Sequence, residues 1–213
     1  MPIICPTVTA ANPHNYREQM ARIEPFAPRV HIDFGDGDFA EKMVGIAQAY
    51  WPDHMTADFH IMYKHPYQYM ETIVSLKPNM VIVHAEAEDD MLAMVLELQA
   101  VGIKAGLALL KDTKPEDHAD IISHADHVLL FGGDLGHQGG VADLTILKKT
   151  ADIRAINPTI ELGWDGGVSA ENAPLLVEGG IEVLNVGGFI QHADDPREAY
   201  NQIAKALGSI ISE

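Results

Sequence analysis

Basic residues are scarce in this chain. Its 213 residues hold 14 Lys+Arg against 31 Asp+Glu, a formal charge of −17. Nucleic acid needs a basic patch to meet its phosphates, and an anionic membrane surface needs one too, so neither is an expected partner. A small phosphorylated molecule stays open, because backbone amides bind phosphate without net positive charge. Cysteine is almost missing: Cys5 stands alone, allows no intrachain disulfide and fits a reducing compartment. No apolar run approaches a membrane span. The opening MPIICPTVTA has neither the basic start nor the long apolar stretch of a signal peptide. The expected location is the cytoplasm. No Pro/Gly/Ser-rich linker or low-complexity segment interrupts the chain, so residues 1–213 are expected to form one domain, with 47% hydrophobic residues to fill its core.

What is present is an alternation. Short β-branched or apolar runs occur at residues 3–8, 30–34, 57–62, 80–84, 104–110, 127–131, 159–164 and 183–186. Each is followed by a stretch with helical spacing, at residues 15–24, 40–51, 67–76, 90–101, 116–123, 144–156, 173–178 and 196–211. Pro115 and Pro196 sit where a first helical turn would begin, and Gly102 follows a helix end. Eight strand–helix units at about 27 residues each lie near the lower size of a closed (β/α)8 TIM barrel. An open doubly wound sheet is the rival, but it gathers its ligands at one switch point. Here polar residues mark the C-terminal ends of many strands, where a barrel builds its active site.

Two strings stand out at those ends, His31-Ile32-Asp33 and Asp58-Phe59-His60. Residues two apart on a strand point the same way, so His31 shares a face with Asp33, and Asp58 with His60. A third strand closes on Trp164-Asp165-Gly166-Gly167. His31, Asp33, His60 and Asp165 are suitable ligands for one first-row divalent ion. Such an ion could act as a Lewis acid, while two carboxylates on opposite sides move a proton from one face of a carbon to the other. Gly166-Gly167 and Gly187-Gly188 end strands seven and eight, the places where barrels commonly bind phosphate. Met62 could cap a pocket, though packing is the simpler role. His84 and Glu86 read as a hydrogen-bonded pair lining the barrel. The loop GGDLGHQGG, with His137 and Gln138, reads as a mobile lid or a long turn.

At these residues the chain resembles the ribulose-phosphate 3-epimerase family, from residue 6 to about residue 190. The family's Pro-Ser pair appears as Pro6-Thr7, and its H-x-D-x-x-D-G-x-F segment as HIDFGDGDF starting at His31. Its D-x-H-x-M runs from Asp58 to Met62, and its H-x-E-A is His84-Ala85-Glu86-Ala87. GIKAGLALLKDTKP and Asp165-Gly166-Gly167-Val168 match two further segments. The resemblance implies that His31, Asp33, His60 and Asp165 bind one divalent ion, commonly Zn2+ or Fe2+, with Mn2+ or Co2+ also suited to the donors. It implies that Asp33 and Asp165 are the acid/base pair at C3 of a ketose phosphate, D-ribulose 5-phosphate going to D-xylulose 5-phosphate. Thr7, Met62, Gly136, Gly166, Gly167, Gly187 and Gly188 would contact the substrate. A homo-oligomer is implied as well.

Some positions depart from the pattern. The methionine two after the catalytic Asp is Gly35, and that of strand six is Leu129, which implies a wider pocket. Asp134 stands in the phosphate loop, and Gly188 replaces a serine. A hexulose phosphate such as allulose 6-phosphate is therefore an alternative substrate. A phosphosugar lyase is a second alternative, but no lysine stands two residues from Asp33. A phosphosugar-binding barrel without turnover is a third.

Overall fold

The computed structural model describes residues 2–133, 135 and 140–208. Eight parallel strands close into a barrel in sequence order: β1 (Ile3–Thr9), β2 (Arg29–Gly35), β3 (Thr56–Met62), β4 (Met80–His84), β5 (Lys104–Leu109), β6 (His127–Phe131), β7 (Glu161–Asp165) and β8 (Val183–Val186). β1 pairs with both β2 and β8, which completes the ring. The expected (β/α)8 fold is present.

Alternation along the strands divides the interior in two. The outward set, such as Val30, Ile32, Phe34, Phe59, Ile61, Val81, Leu130 and Trp164, packs with the helices in one large cluster. The inward set is split by height, as expected for a barrel filled by layers of side chains. Met80, Ile82, Ala108 and Leu129 form a separate apolar layer inside the barrel. Polar layers lie beyond it toward both ends.

The helices follow the sequence pattern with one exception. α1 (Pro13–Ile23) is capped by Asn12, whose side chain accepts from two backbone N–H groups, and Pro13 takes the first turn. α2 (Met70–Leu76), α3 (Met91–Ala100), α4 (Ala119–His124), α5 (Lys149–Ile156), α6 (Ala173–Glu178) and α8 (Pro196–Gly208) fall where helical spacing predicts them. Three of these stretches begin as 3-10 turns, at Pro66–Tyr69, Pro115–His118 and Leu144–Lys148. The exception is the stretch expected at 40–51, which is loop with one 3-10 turn, Ile46–Gln48. Its backbone bonds go to strand ends instead of the preceding turn: Met43 N–H to Gly35 O at 2.9 Å and Val44 N–H to Ala10 O at 2.8 Å. Met43, Val44, Ile46 and Ala49 are buried over the barrel rim, and this burial produces the helix-like spacing. An extra short helix, α7 (Gly188–Gln191), follows β8.

Candidate active site

Strand register and side-chain reach together bring the histidines and carboxylates to one place. Thr9 pairs with Asp33 across β1 and β2, and Asp33 pairs with His60 across β2 and β3. β7 contributes Asp165 from across the barrel. The candidate donor atoms of His31, Asp33, His60 and Asp165 all lie within 4.8 Å of one another. His31 Nε2 is 3.2 Å from Asp33 Oδ1 and 3.6 Å from Asp165 Oδ2. His60 Nδ1 is 2.9 Å and 3.6 Å from the same two oxygens. Two imidazole nitrogens thus converge on two carboxylate oxygens.

The burial differs between the two kinds of residue. His31 and His60 are fully buried. Asp33 and Asp165 are at the surface of a cleft of about 320 Å³ at the barrel mouth. The carboxylates therefore face anything in the cleft, and the imidazoles stand behind them. The second oxygen of Asp33 accepts from the Thr9 hydroxyl at 2.6 Å, which fixes the carboxylate. The sequence pattern did not single out Thr9. Its signal is the two-residue spacing from Thr7, on the inward face of β1.

Burial alone would raise the Asp33 carboxyl, but His31 and His60 hold it well below the usual carboxylate range. Burial alone would lower His31, but Asp165 and Asp33 lift it to about 10. Even so, neither nitrogen of His31 makes a hydrogen bond of proper geometry, although both are buried. A buried nitrogen aimed between two carboxylate oxygens, with no hydrogen bond, suits a lone pair held for a cation. The donor set of two nitrogens and two oxygens therefore fits a divalent ion.

Behind the cluster lies a chain of contacts that the strand pattern had reduced to a lining pair. His60 Nε2 is 2.9 Å from His84 Nε2, and His84 Nδ1 is 3.2 Å from Glu86 Oε2. Glu86 Oε1 accepts from Leu110 N–H at 3.0 Å and from the Thr113 hydroxyl. Burial raises the Glu86 carboxyl, yet His84 and Thr113 bring it down to about 2. Burial takes His84 down to about 4, despite Glu86, so its ring is neutral at pH 7.

The cleft gathers most of the remaining expected residues. Thr7, Met62, Gly166, Gly167, Gly187 and Gly188 all line it. Gly167 has φ +67°, and a Cβ there would lie 2.3 Å from Ala142 N, so the turn after β7 requires glycine. Gly136, Asp134, His137 and Gln138 lie outside the described residues.

Two expectations need correction. The widening expected at Gly35 does not occur there: a Cβ would stand 1.9 Å from Glu41 O, and Met43, folded back beside it, lines the cleft. The loop thus returns a methionine to the mouth from a different place in the chain. Leu129 is in the apolar layer below, and Phe131, one inward step further along β6, reaches the cleft instead. Asp58 does share the inward face with His60, but one step toward the opposite end. There it meets Arg29 Nε at 2.5 Å and Asn79 Nδ2 at 2.8 Å.

Comparison with known proteins agrees with this geometry. The model of the Ribulose-phosphate 3 epimerase family matches residues 3–190. A ribulose-phosphate 3-epimerase of Mycobacterium bovis is 25% identical over 216 residues, covering 98% of this chain and 94% of that protein. One of Bacillus subtilis is 28% identical over 184 residues, covering 82% and 84%. Among solved structures, 3-hexulose-6-phosphate synthase from Salmonella typhimurium has a TM-score of 0.70 at 14% identity, covering 98% of this chain and 99% of that one. N-(5'-phosphoribosyl)anthranilate isomerase from Pyrococcus furiosus has a TM-score of 0.63 at 15% identity, covering 98% and 100%. These two likenesses speak for the barrel alone. The match across nearly the whole chain places this protein in the ribulose-phosphate 3-epimerase family, isomerases that act on carbohydrate phosphates.

Proposed function

We propose that this chain inverts C3 of a phosphorylated ketose, interconverting D-ribulose 5-phosphate and D-xylulose 5-phosphate. The observation that carries this reading is the pairing in one cluster of two cleft-facing carboxylates with two buried imidazoles, all donor atoms within 4.8 Å. His31, Asp33, His60 and Asp165 would hold one divalent ion. Their nitrogen and oxygen donors suit Zn2+ or Fe2+, and accept Mn2+ or Co2+. When bound, the ion supplies Lewis-acid stabilisation of the negative charge that develops on the substrate's oxygens.

The proton work belongs to the chain. One of the two aspartates removes the C3 proton, leaving an enediolate, and the other returns a proton to the opposite face. Their origins favour this division: Asp33 lies near the C-terminal end of β2, and Asp165 ends β7 across the mouth. Thr9 holds Asp33 in place by its free oxygen. Met43, Met62 and Phe131 give the cleft an apolar wall that limits water around the reacting carbon. The backbone amides of the Gly166-Gly167 and Gly187-Gly188 turns, which line the cleft, would meet the substrate's phosphate. Both aspartates are needed for inversion, since a single carboxylate would return the proton to the face it came from.

The test is a screen of ketose phosphates in deuterated water, with and without a chelator. Deuterium should enter C3 of D-ribulose 5-phosphate, and chelation should abolish it. Asp33→Asn and Asp165→Asn should each lose about 10²–10⁴-fold in turnover. No exchange into any ketose phosphate, with Zn2+, Fe2+, Mn2+ or Co2+ supplied, would refute the reading. Faster exchange into a hexulose phosphate would move the substrate to that class.

A further inference from the structure

We propose that Glu86 is a positioning residue that dictates, through His84, which ring nitrogen of His60 is presented to the ion site. The proposal rests on the reading of His60 as a ligand given above. The argument follows the protons. An ionised carboxylate accepts and never donates, so the proton between Glu86 Oε2 and His84 Nδ1, 3.2 Å apart, is on His84. A neutral His84 then carries a lone pair on Nε2. That nitrogen faces His60 Nε2 at 2.9 Å, and two nitrogens in contact share one proton. It must be on His60. With a proton on Nε2, His60 keeps Nδ1 for a cation: in the ion-free protein Nδ1 hydrogen-bonds Asp33 at 2.9 Å and lies 3.6 Å from Asp165, and a bound ion would take the place of that Nδ1 proton. A ligating imidazole needs that form, and its outer partner normally selects it.

At the outer end of this relay the polarity is set by Glu86; at the inner end His60 Nδ1 faces Asp33. Two histidines in contact could share their proton either way round. The carboxylate breaks the symmetry. It is itself held in place: Leu110 N–H and the Thr113 hydroxyl bond its other oxygen, and Lys149 Nζ braces that loop through the carbonyls of Leu110 at 2.6 Å and Thr113 at 2.7 Å. Phe39 packs against the His84 ring at 4.9 Å between centroids, which limits the access of water that could donate in place of His60. Glu86, two residues past the end of β4 and separated from His60 by the His84 ring, thereby acts on the ion site without touching it.

Glu86→Gln tests this with nearly unchanged shape. The amide can still accept from Leu110 and Thr113, but its NH2 now donates to His84 Nδ1. That reverses both tautomers and points a proton of His60 at the ion. Zn2+ and Co2+ affinity, measured by competition with a chelator, should fall about 10–100-fold. In 15N spectra of the ion-free proteins, the His84 proton should move from Nδ1 in the wild type to Nε2 in the variant. Thr113→Val, which removes one bond to the same carboxylate without reversing any donor, should keep the wild-type tautomer. A wild-type His84 protonated on Nε2 overturns the proposal, as does unchanged ion affinity in a folded Glu86→Gln protein. If Glu86→Gln does not fold, the wild-type tautomer alone decides. A wild-type protein that binds neither ion, yet carries its His84 proton on Nδ1, upholds the relay and refutes the metal-site reading instead.

Discussion

At His31, burial and charge pull in opposite directions. Removal from water disfavours an imidazolium, but the Asp165 and Asp33 carboxylates more than offset this and lift the group from 6.5 to about 10. In the ion-free protein this raised value contributes stability that is fully present below pH 6.5 and is lost as pH rises through about 10. A divalent ion requires the neutral ring and so displaces that proton. Ion affinity should therefore tighten by about tenfold per pH unit through the range below 10, with a proton released from His31 on binding. Calorimetry in buffers of different ionisation enthalpy reads that release directly. An affinity independent of pH between 7 and 9 would remove His31 from the ligand set.

At the scale of the strand, each end carries different work. The C-terminal ends hold the cluster at the mouth. The N-terminal ends hold an ion network in which Arg29, at the start of β2, meets Asp58 at 2.5 Å and Glu161 at 3.2 Å. His127 Nδ1 joins Glu161 at 2.9 Å. This network ties β2, β3, β6 and β7 together across the floor. Asp58 is buried, and Asp58→Ala would leave the guanidinium without its nearest anion, at a cost of about 3–5 kcal/mol in urea unfolding. A loss below 1 kcal/mol would mean that water reaches Arg29 freely. Burial raises the Glu161 carboxyl, but His127 and Arg29 bring it down to about 2. Its contribution is therefore present above pH 4.5 and lost as pH falls toward 2, where wild type and Glu161→Gln should converge in stability.

Across the whole molecule the net charge of −17 works against the substrate it is proposed to bind. A phosphorylated sugar is an anion, and like charge slows its approach until salt screens the repulsion. We expect KM for the ketose phosphate to fall by about two- to threefold as NaCl rises from low ionic strength to the physiological range. Steady-state kinetics at constant ion loading checks this. A KM that rises with salt would indicate a local positive field at the mouth. Among the described residues no helix is long and apolar enough to cross a membrane.

Much of the architecture was legible because it is written in short periods. A two-residue repeat puts His31 with Asp33 and Asp58 with His60 on the inner face of their strands, whatever the rest of the chain does. Eight such runs, each followed by helical spacing, imply the barrel, and the barrel implies that strand ends form the mouth. Three other features depend on contacts between residues far apart in sequence. Asp58 and His60 share a face, but only strand register sets one beside Arg29 and the other beside Asp33. Residues 40–51 have helical spacing, but bonds to Gly35 and Ala10 hold them as loop. His84 and Glu86 look like lining from one strand, and become a relay only where β3, β4 and the loop after β5 meet. Local patterning sets which face a side chain takes; which partner it meets there is decided by register and loop closure, and those exist only once the ring is closed.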